Sequence, residues 1–505
     1  MLRSLSKTLL GSMLVLISAC SSIQPRDPSE KSTSFQFGYQ SDSSLAEFFE
    51  SYDKDPNSDT GFYPLNQGND ALLARIALIE SAEKSLDLQY YIYRSDETSQ
   101  LMTWRLYEAA KRGVRVRLLL DDMQKRNDAG MAELNAHPNI EIRLFNPHQY
   151  RDARVFALAS DFERLNRRMH NKALIADSVS AIVGGRNIGN EYFSFESNVE
   201  FGDFDVMLFG EVVTQTADQF DLYWNSIYAV PMEWIVPEAD KVADQAIQAQ
   251  VKALELEEKF STGPYNFKEL DLYEELQQGN LNLYWGKGEV WFDLPDKIAT
   301  QESQLVANLG ELLESVEDSF VLISPYFVPT ESGTKALTDA AKRGINITIV
   351  TNSLASNDVF AVHGWYAKYR EDLVKEGIKL WEVKASAKIK SKWSLTGSSR
   401  ASLHAKLMMI DEKKLFVGSM NWDPRSAELN TEMAVVIEQP EYVQKQQTVL
   451  PDQLKENAYQ VVIKDGDIAW IDQATGEEFD SEPEASVWRK MGAWFSGILP
   501  IEDQL

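Results

Sequence analysis

Ala109-Ala110-Lys111-Arg112-Gly113-Val114 returns later in the chain as Ala340-Ala341-Lys342-Arg343-Gly344-Ile345, with five of the six positions identical. Each copy closes a helical pattern, Leu101 to Lys111 or Leu337 to Lys342, and opens a β-branched run, Val114 to Leu120 or Ile345 to Val350. Glycine at the junction suits a helix C-terminus, where it takes a positive φ without steric cost. Strand-like runs, Leu86 to Tyr93 and Phe320 to Phe327, precede both copies. Strand, helix, strand in each half predicts a parallel α/β unit built twice.

Farther along both copies a second pattern keeps the register of the first. One half reads His170, Lys172, Asp177, then Gly184-Gly185-Arg186-Asn187; the other reads His404, Lys406, Asp411, then Gly418-Ser419-Met420-Asn421. Every offset matches. A lone His-x-Lys is most simply a packing or surface histidine, but here two of only five histidines open the same long pattern at homologous places. Residues two apart on an extended strand share a face, so one imidazole and one ammonium from each half can converge on one phosphate. In such a site one imidazole would attack phosphorus while the other moves the proton, and lysine and asparagine donors would hold the non-bridging oxygens.

The HxKxxxxD pattern with its trailing GxxN resembles the phospholipase D superfamily over about residues 61 to 440, with Gly185 in place of the usual serine. That resemblance implies two tandem α/β/α sandwich domains related by a pseudo-two-fold axis, with the active site at their interface. It implies His170 as nucleophile and His404 as acid and base, although near-symmetric halves leave an exchange of these roles open. Lys172, Lys406, Asn187 and Asn421 would grip the phosphate, and Asp177 and Asp411 complete the motif as structural supports. An acid after each asparagine would orient an imidazole, Glu432 in one half and Asp205 of Asp203-Phe204-Asp205 in the other. Neither a metal nor a cofactor is implied, and a single cysteine excludes a cysteine-built zinc site.

With 44% hydrophobic and 25% charged residues the chain has the composition of a globular protein long enough for two domains. Arg3 and Lys7 precede a short apolar run, Leu9 to Ile17, so residues 1–19 read as a secretion signal. The run falls short of the ~20 residues that span a bilayer. Leu16-Ile17-Ser18-Ala19-Cys20 resembles a bacterial lipobox, which implies acylation of Cys20 and anchoring on the periplasmic side of an envelope membrane, inner or outer. The expected organisation is a tether at 20–60, a first domain at 61–230, a linker helix at 231–280, a second domain at 281–450 and an acidic extension at 451–505. Within the linker, Pro237 to Lys259 carries the helical spacing.

The net charge of −27 repels DNA and makes a nuclease the poorest fit. Charge is different near the motifs. Residues 383–410 hold Lys384, Lys388, Lys390, Lys392, Arg400 and Lys406 with no acid, and Arg143, Arg151, Arg154, Arg164, Arg167 and Arg168 lead into His170. These predict a basic hollow that draws in an anionic headgroup. Trp393 and Leu395, with Trp365, Tyr366 and Tyr369 near a packing histidine, His363, offer apolar surface for acyl chains. The amphipathic run from Val487 to Pro500 fits either the membrane interface or its own domain.

Within the superfamily, Tyr90-Tyr91-Ile92-Tyr93, Gly184 to Phe193, Trp224-Asn225-Ser226 and Asn421 to Glu432 resemble the bacterial cardiolipin synthase C-type lipoproteins. This implies phosphatidylglycerol and phosphatidylethanolamine as substrates, a membrane as partner and no nucleic acid; the oligomeric state stays open. Hydrolysis to phosphatidic acid is the alternative chemistry. An inert envelope scaffold is the alternative class, and retention of both His, both Lys and both Asn argues against it.

Overall fold

The computed structural model describes residues 26–151, 154, 160–193, 200–236, 266–387 and 401–505. The apolar leader, Cys20, the Pro237 to Lys259 stretch, and Lys388, Lys390, Lys392, Trp393, Leu395 and Arg400 lie outside the described residues.

In the first half the strands are β1 (Thr60–Leu65), β2 (Ser85–Tyr90), β3 (Arg115–Asp121), β4 (Ile140–Phe145), β5 (Ala173–Ala176), β6 (Ser180–Gly184), β7 (Glu200–Gly202), β8 (Asp205–Gly210) and β9 (Ala229–Pro231). Its sheet runs β1-β8-β6-β5-β2-β3-β4-β9, with β2, β3 and β4 parallel and the other pairings antiparallel. The second half holds β10 (Tyr284–Phe292), β11 (Ser319–Ile323), β12 (Asn346–Asn352), β13 (Lys379–Val383), β14 (Ala401–Leu403), β15 (Leu407–Ile410), β16 (Lys414–Gly418), β17 (Met433–Glu438), β18 (Ala458–Lys464), β19 (Asp467–Asp472) and β20 (Glu477–Phe479). Its sheet repeats the same order, β10-β17-β16-β15-β11-β12-β13-β18, with the same sense at each step. The internal repeat is therefore a repeat of topology.

Helix Glu97–Lys111 bridges β2 and β3, and Thr330–Lys342 bridges β11 and β12. Gly113 (φ 101°) and Gly344 (φ 97°) end them in the left-handed conformation. Each sheet carries helices on both faces, giving the expected tandem α/β/α sandwiches. Gly68–Ser81 and Glu97–Lys111 bury one face of the first sheet, and Glu211–Asn225 packs on the other.

The halves are fused by their cores. Val183, Val206 and Leu208 share one apolar cluster with Val417, Val435 and Ile437. Strand β10 also joins the sheets, pairing with β1 at Tyr284–Gly286 and with β17 at Lys287–Phe292. The segment after residue 450 is not a separate extension: β18 holds the place of β9 in the second sheet, and β19 and β20 prolong it. The acidic residues of this segment, Asp465, Asp467, Glu477 and Glu478, are exposed at its turns and edge. Among the described residues no helix is long and apolar enough to cross a membrane.

Candidate active site

His170 and Lys172 occupy the extended segment just before β5, and His404 and Lys406 the segment just before β15. At the two histidines the main-chain amides turn to the opposite half. The His170 amide donates to the Thr431 carbonyl (2.9 Å), and the Thr431 amide donates back to Arg168 (2.9 Å). On the other side β14 pairs in parallel with β7, and the His404 amide donates to the Gly202 carbonyl (2.7 Å). Each motif is thus held open by main chain from the opposite half.

The side chains repeat that exchange. His170 Nδ1 lies 3.0 and 2.9 Å from the two Glu432 oxygens, and His404 Nδ1 lies 2.5 Å from Asp203 Oδ2. A carboxylate on Nδ1 fixes the proton there and leaves the Nε2 lone pair for chemistry. Glu432 is itself anchored by the hydroxyls of Ser419 and Ser426, the latter at 2.8 Å. Tyr91 meets the His170 ring edge-on (4.9 Å between centroids), and Tyr192 does the same for His404 (5.3 Å).

Asp203, not Asp205, is the partner of His404. Gly184 faces Asp205 across β6 and β8, and Gly418 faces Ala434 across β16 and β17. The two glycines are equivalent, so Asp205 corresponds to Ala434, and Asp203, two residues earlier, corresponds to Glu432. Asp205 instead accepts from Arg75 (2.9 Å) and Arg186 (3.2 Å) in a buried cluster behind the site. The missed signal was the cross-strand register, which spacing from the asparagines does not reveal because the loops differ in length.

Asp177 and Asp411 sit far from the imidazoles, at the opposite ends of β5 and β15. Each opens a tight hairpin turn with φ near +50° (Asp177 53°, Asp411 51°), a conformation aspartate tolerates. The Asp177 carboxylate accepts from the amides of Glu83, Lys84 and Ser85, and Asp411 from those of Glu317, Asp318 and Ser319. They tie each hairpin to the start of its antiparallel neighbour, β2 or β11, and they touch no reacting group.

Asn187 Oδ1 accepts from the Ile92 amide (3.0 Å) and its Nδ2 donates to Tyr192 Oη (3.2 Å), leaving a second amide hydrogen. The Asn421 side-chain oxygen is buried without a partner. Asp423, two residues beyond Asn421 and not singled out from the sequence, is buried, accepts from the Ser426 amide (2.7 Å), and is pushed up to about 7 by desolvation.

Burial dominates the electrostatics. Desolvation lowers His170 to about 4 despite Glu432, and it lowers His404 as well, with Lys406 adding to the effect. Both imidazoles are neutral in the free protein at pH 7. Desolvation also brings Lys172 down to about 7 and Lys406 to about 8, against the pull of the carboxylates. Each lysine also feels the other half: Lys406 lowers Lys172, and Glu432 and Asp203 raise both. Two buried ammoniums that burial makes easier to deprotonate favour an added anion, and a phosphodiester supplies one.

The basic hollow expected from the arginines is not formed by them. Arg143 pairs with Glu141, Arg151 and Arg154 with Asp122, Arg164 with Asp161, Arg167 with Glu163 and Arg168 with Asp121. Guanidinium forks so close to carboxylates are consumed in structural pairing. Lys384 likewise pairs with Asp472 (2.8 Å). Nor do Trp365, Tyr366 and Tyr369 line the site: they bond Ser496, Glu382 and Glu502 respectively. His363 packs between Glu482 and Arg370.

The family model described as "Cardiolipin synthase, PLD-like domain" matches residues 76–224 and 309–452, one match in each half. The chain is 39% identical over 463 residues to cardiolipin synthase C of Escherichia coli (strain K12), covering 88% of this chain and 95% of that one. It is 33% identical over 456 residues to an uncharacterized protein of Helicobacter pylori (strain J99), covering 86% and 88%. Among solved structures, phosphatidylserine synthase of Haemophilus influenzae Rd KW20 superposes with a TM-score of 0.58 at 14% identity over 91% of this chain and all of that one, a likeness of fold. The chain belongs to the phospholipase D superfamily and, within it, to the family of cardiolipin synthase PLD-like domains, which makes it a phospholipase D-type enzyme.

Proposed function

We propose that the protein is a phosphatidyltransferase that makes cardiolipin from phosphatidylglycerol and a second phosphatidylglycerol or phosphatidylethanolamine through a phosphohistidine. The observation that carries this reading is the crossed pairing of two neutral imidazoles with carboxylates of the opposite halves, around two buried lysines. Relatives described as cardiolipin synthases support the phospholipid substrate.

Entry of the phosphodiester anion restores full charge to Lys172 and Lys406 and raises His404 toward its protonated form, which Asp203 stabilises. His170 Nε2 attacks phosphorus as the bond to the headgroup oxygen breaks, and His404 gives that oxygen its proton. Glycerol or ethanolamine leaves. His404, now neutral, takes the proton from a hydroxyl of an incoming phosphatidylglycerol; that oxygen attacks phosphorus, the P–N bond breaks, and His170 is regenerated. The lysines, with the Asn187 and Asn421 amides, hold the non-bridging oxygens throughout. Acylation of Cys20 would place this chemistry at the periplasmic side of an envelope membrane.

The test is conversion of isotopically labelled phosphatidylglycerol in vesicles, read by mass spectrometry. Cardiolipin should appear with the wild-type chain, and a trapped phosphatidyl adduct should map to His170. Phosphatidic acid as the sole product, or an adduct that survives in His170→Ala, overturns the reading.

A further inference from the structure

Val487-Trp488-Arg489-Lys490-Met491-Gly492-Ala493-Trp494-Phe495-Ser496-Gly497-Ile498 forms a helix capped by Ser486. A helix docked on a globular protein turns its large apolar residues inward. This one is inverted. Its small residues, Ala493, Ser496 and Gly497, face helix Phe360–Tyr366, so closely that a Cβ on Gly364 would lie 2.1 Å from the Ala493 carbonyl oxygen. Trp488 and Trp494 stand 80% and 69% exposed, with Met491, Phe495 and Ile498 also outside. Phe360, packed beside Gly492, widens the apolar patch.

The patch adjoins the site. Arg489 donates to the carbonyls of Leu354 (3.0 Å) and Asn357, in the loop after β12. At the head of that loop Asn352 holds both the amide and the carbonyl of Leu403 (2.9 Å each), the residue before His404. From its far end Asp358 accepts the Tyr326 hydroxyl (2.8 Å). Helix, loop and the His404 segment form one connected rim.

We propose that this helix is a second membrane contact, seating the His404 side of the site in the headgroup layer of a phospholipid bilayer. The inference rests on the reading that the substrates are membrane lipids. Tryptophan, with an apolar body and a polar N–H, favours the bilayer interface. The helix carries Arg489 and Lys490 and no acid, on a chain whose net charge is −27. Locally that suits anionic headgroups, whereas a second copy covering this face with its own helix would set these cations against each other. Small-residue docking leaves the large side chains free to insert while the rim stays fixed.

The single cysteine makes the contact directly testable. In a Cys20→Ser background, Trp494→Cys or Lys335→Cys carries an environment-sensitive dye, and vesicles of phosphatidylcholine with phosphatidylglycerol are added. Lys335 is exposed on helix Thr330–Lys342. The dye at 494 should brighten at least about twofold, as expected for burial at the acyl boundary, while the dye at 335 should not. Adding Trp488→Glu and Ile498→Glu should remove the response, and His404→Ala should leave it, separating docking from catalysis. No response at 494, or an equal one at 335, overturns the proposal. So does brightening at 494 that follows protein concentration without vesicles, which would mean a second copy covers the helix. A vesicle response in a chain that keeps both catalytic histidines yet makes no cardiolipin would sink the catalytic reading and leave the membrane contact standing.

Discussion

The two halves share one topology, yet their orienting acids are built differently. In the second half Glu432 reaches His170 and is braced by Ser419 and Ser426. In the first half the acid is one methylene shorter, and Gly185 stands where Ser419 does; a Cβ there would lie 2.1 Å from Asp203 Oδ1. The aspartate occupies the space of the missing side chain. Behind it, Arg186 and Asp205 form a buried ion pair where the second half has Met420 and Ala434. Duplicated halves can therefore keep a function while exchanging the parts that hold it.

The strongest challenge to equivalence is removal of the imidazoles. Both His170→Ala and His404→Ala should lower vesicle turnover by at least ~10⁴-fold, but only His404→Ala should still accumulate adduct. Equal adduct in both would mean that the roles are shared.

The carboxylates come next. Asp203→Asn and Glu432→Gln should each cost roughly 10²- to 10⁴-fold in turnover, because the amide no longer fixes the imidazole tautomer. Asp205→Ala should act on stability instead, leaving Arg75 and Arg186 buried without a counter-charge at a cost of about 3–5 kcal/mol, read by denaturant unfolding. If Asp205→Asn lost turnover with stability intact, the assignment of Asp203 would fail.

Gly185→Ser is a smaller probe of the same difference. It should displace Asp203 and cut turnover by roughly 10- to 100-fold, whereas Ser419→Ala, which removes one brace of Glu432, should cost under about tenfold. Matching losses would erase the asymmetry.

The mildest test is pH. An unliganded lysine must be protonated to take a phosphate, and Lys172 and Lys406 sit at about 7 and about 8. As pH rises through that window both lose their proton, so kcat/KM should fall above pH 7 to 8. The limb of kcat should lie higher, because bound phosphate raises both lysines. Mutating Lys406 to Arg, which stays charged, should shift the kcat/KM limb toward the remaining lysine.

The sequence by itself determined the duplication, the α/β units and the six residues of the paired His, Lys and Asn positions. Those signals are local: strand and helix periodicity, a glycine after each helix, and fixed offsets that survive in both copies. Tertiary structure alone decided which acid serves which histidine, because Glu432 and Asp203 act across the boundary between halves and loop lengths hide their equivalence. It also decided that the arginines near His170 are spent on ion pairs. Glu141, Asp161 and Glu163 are neighbours of their arginines along the chain, but Asp121 and Asp122, the partners of Arg168, Arg151 and Arg154, are brought close only by the folding of the sheet. Pairing in space is a property of register and docking, and neither is written in the order of residues along one strand.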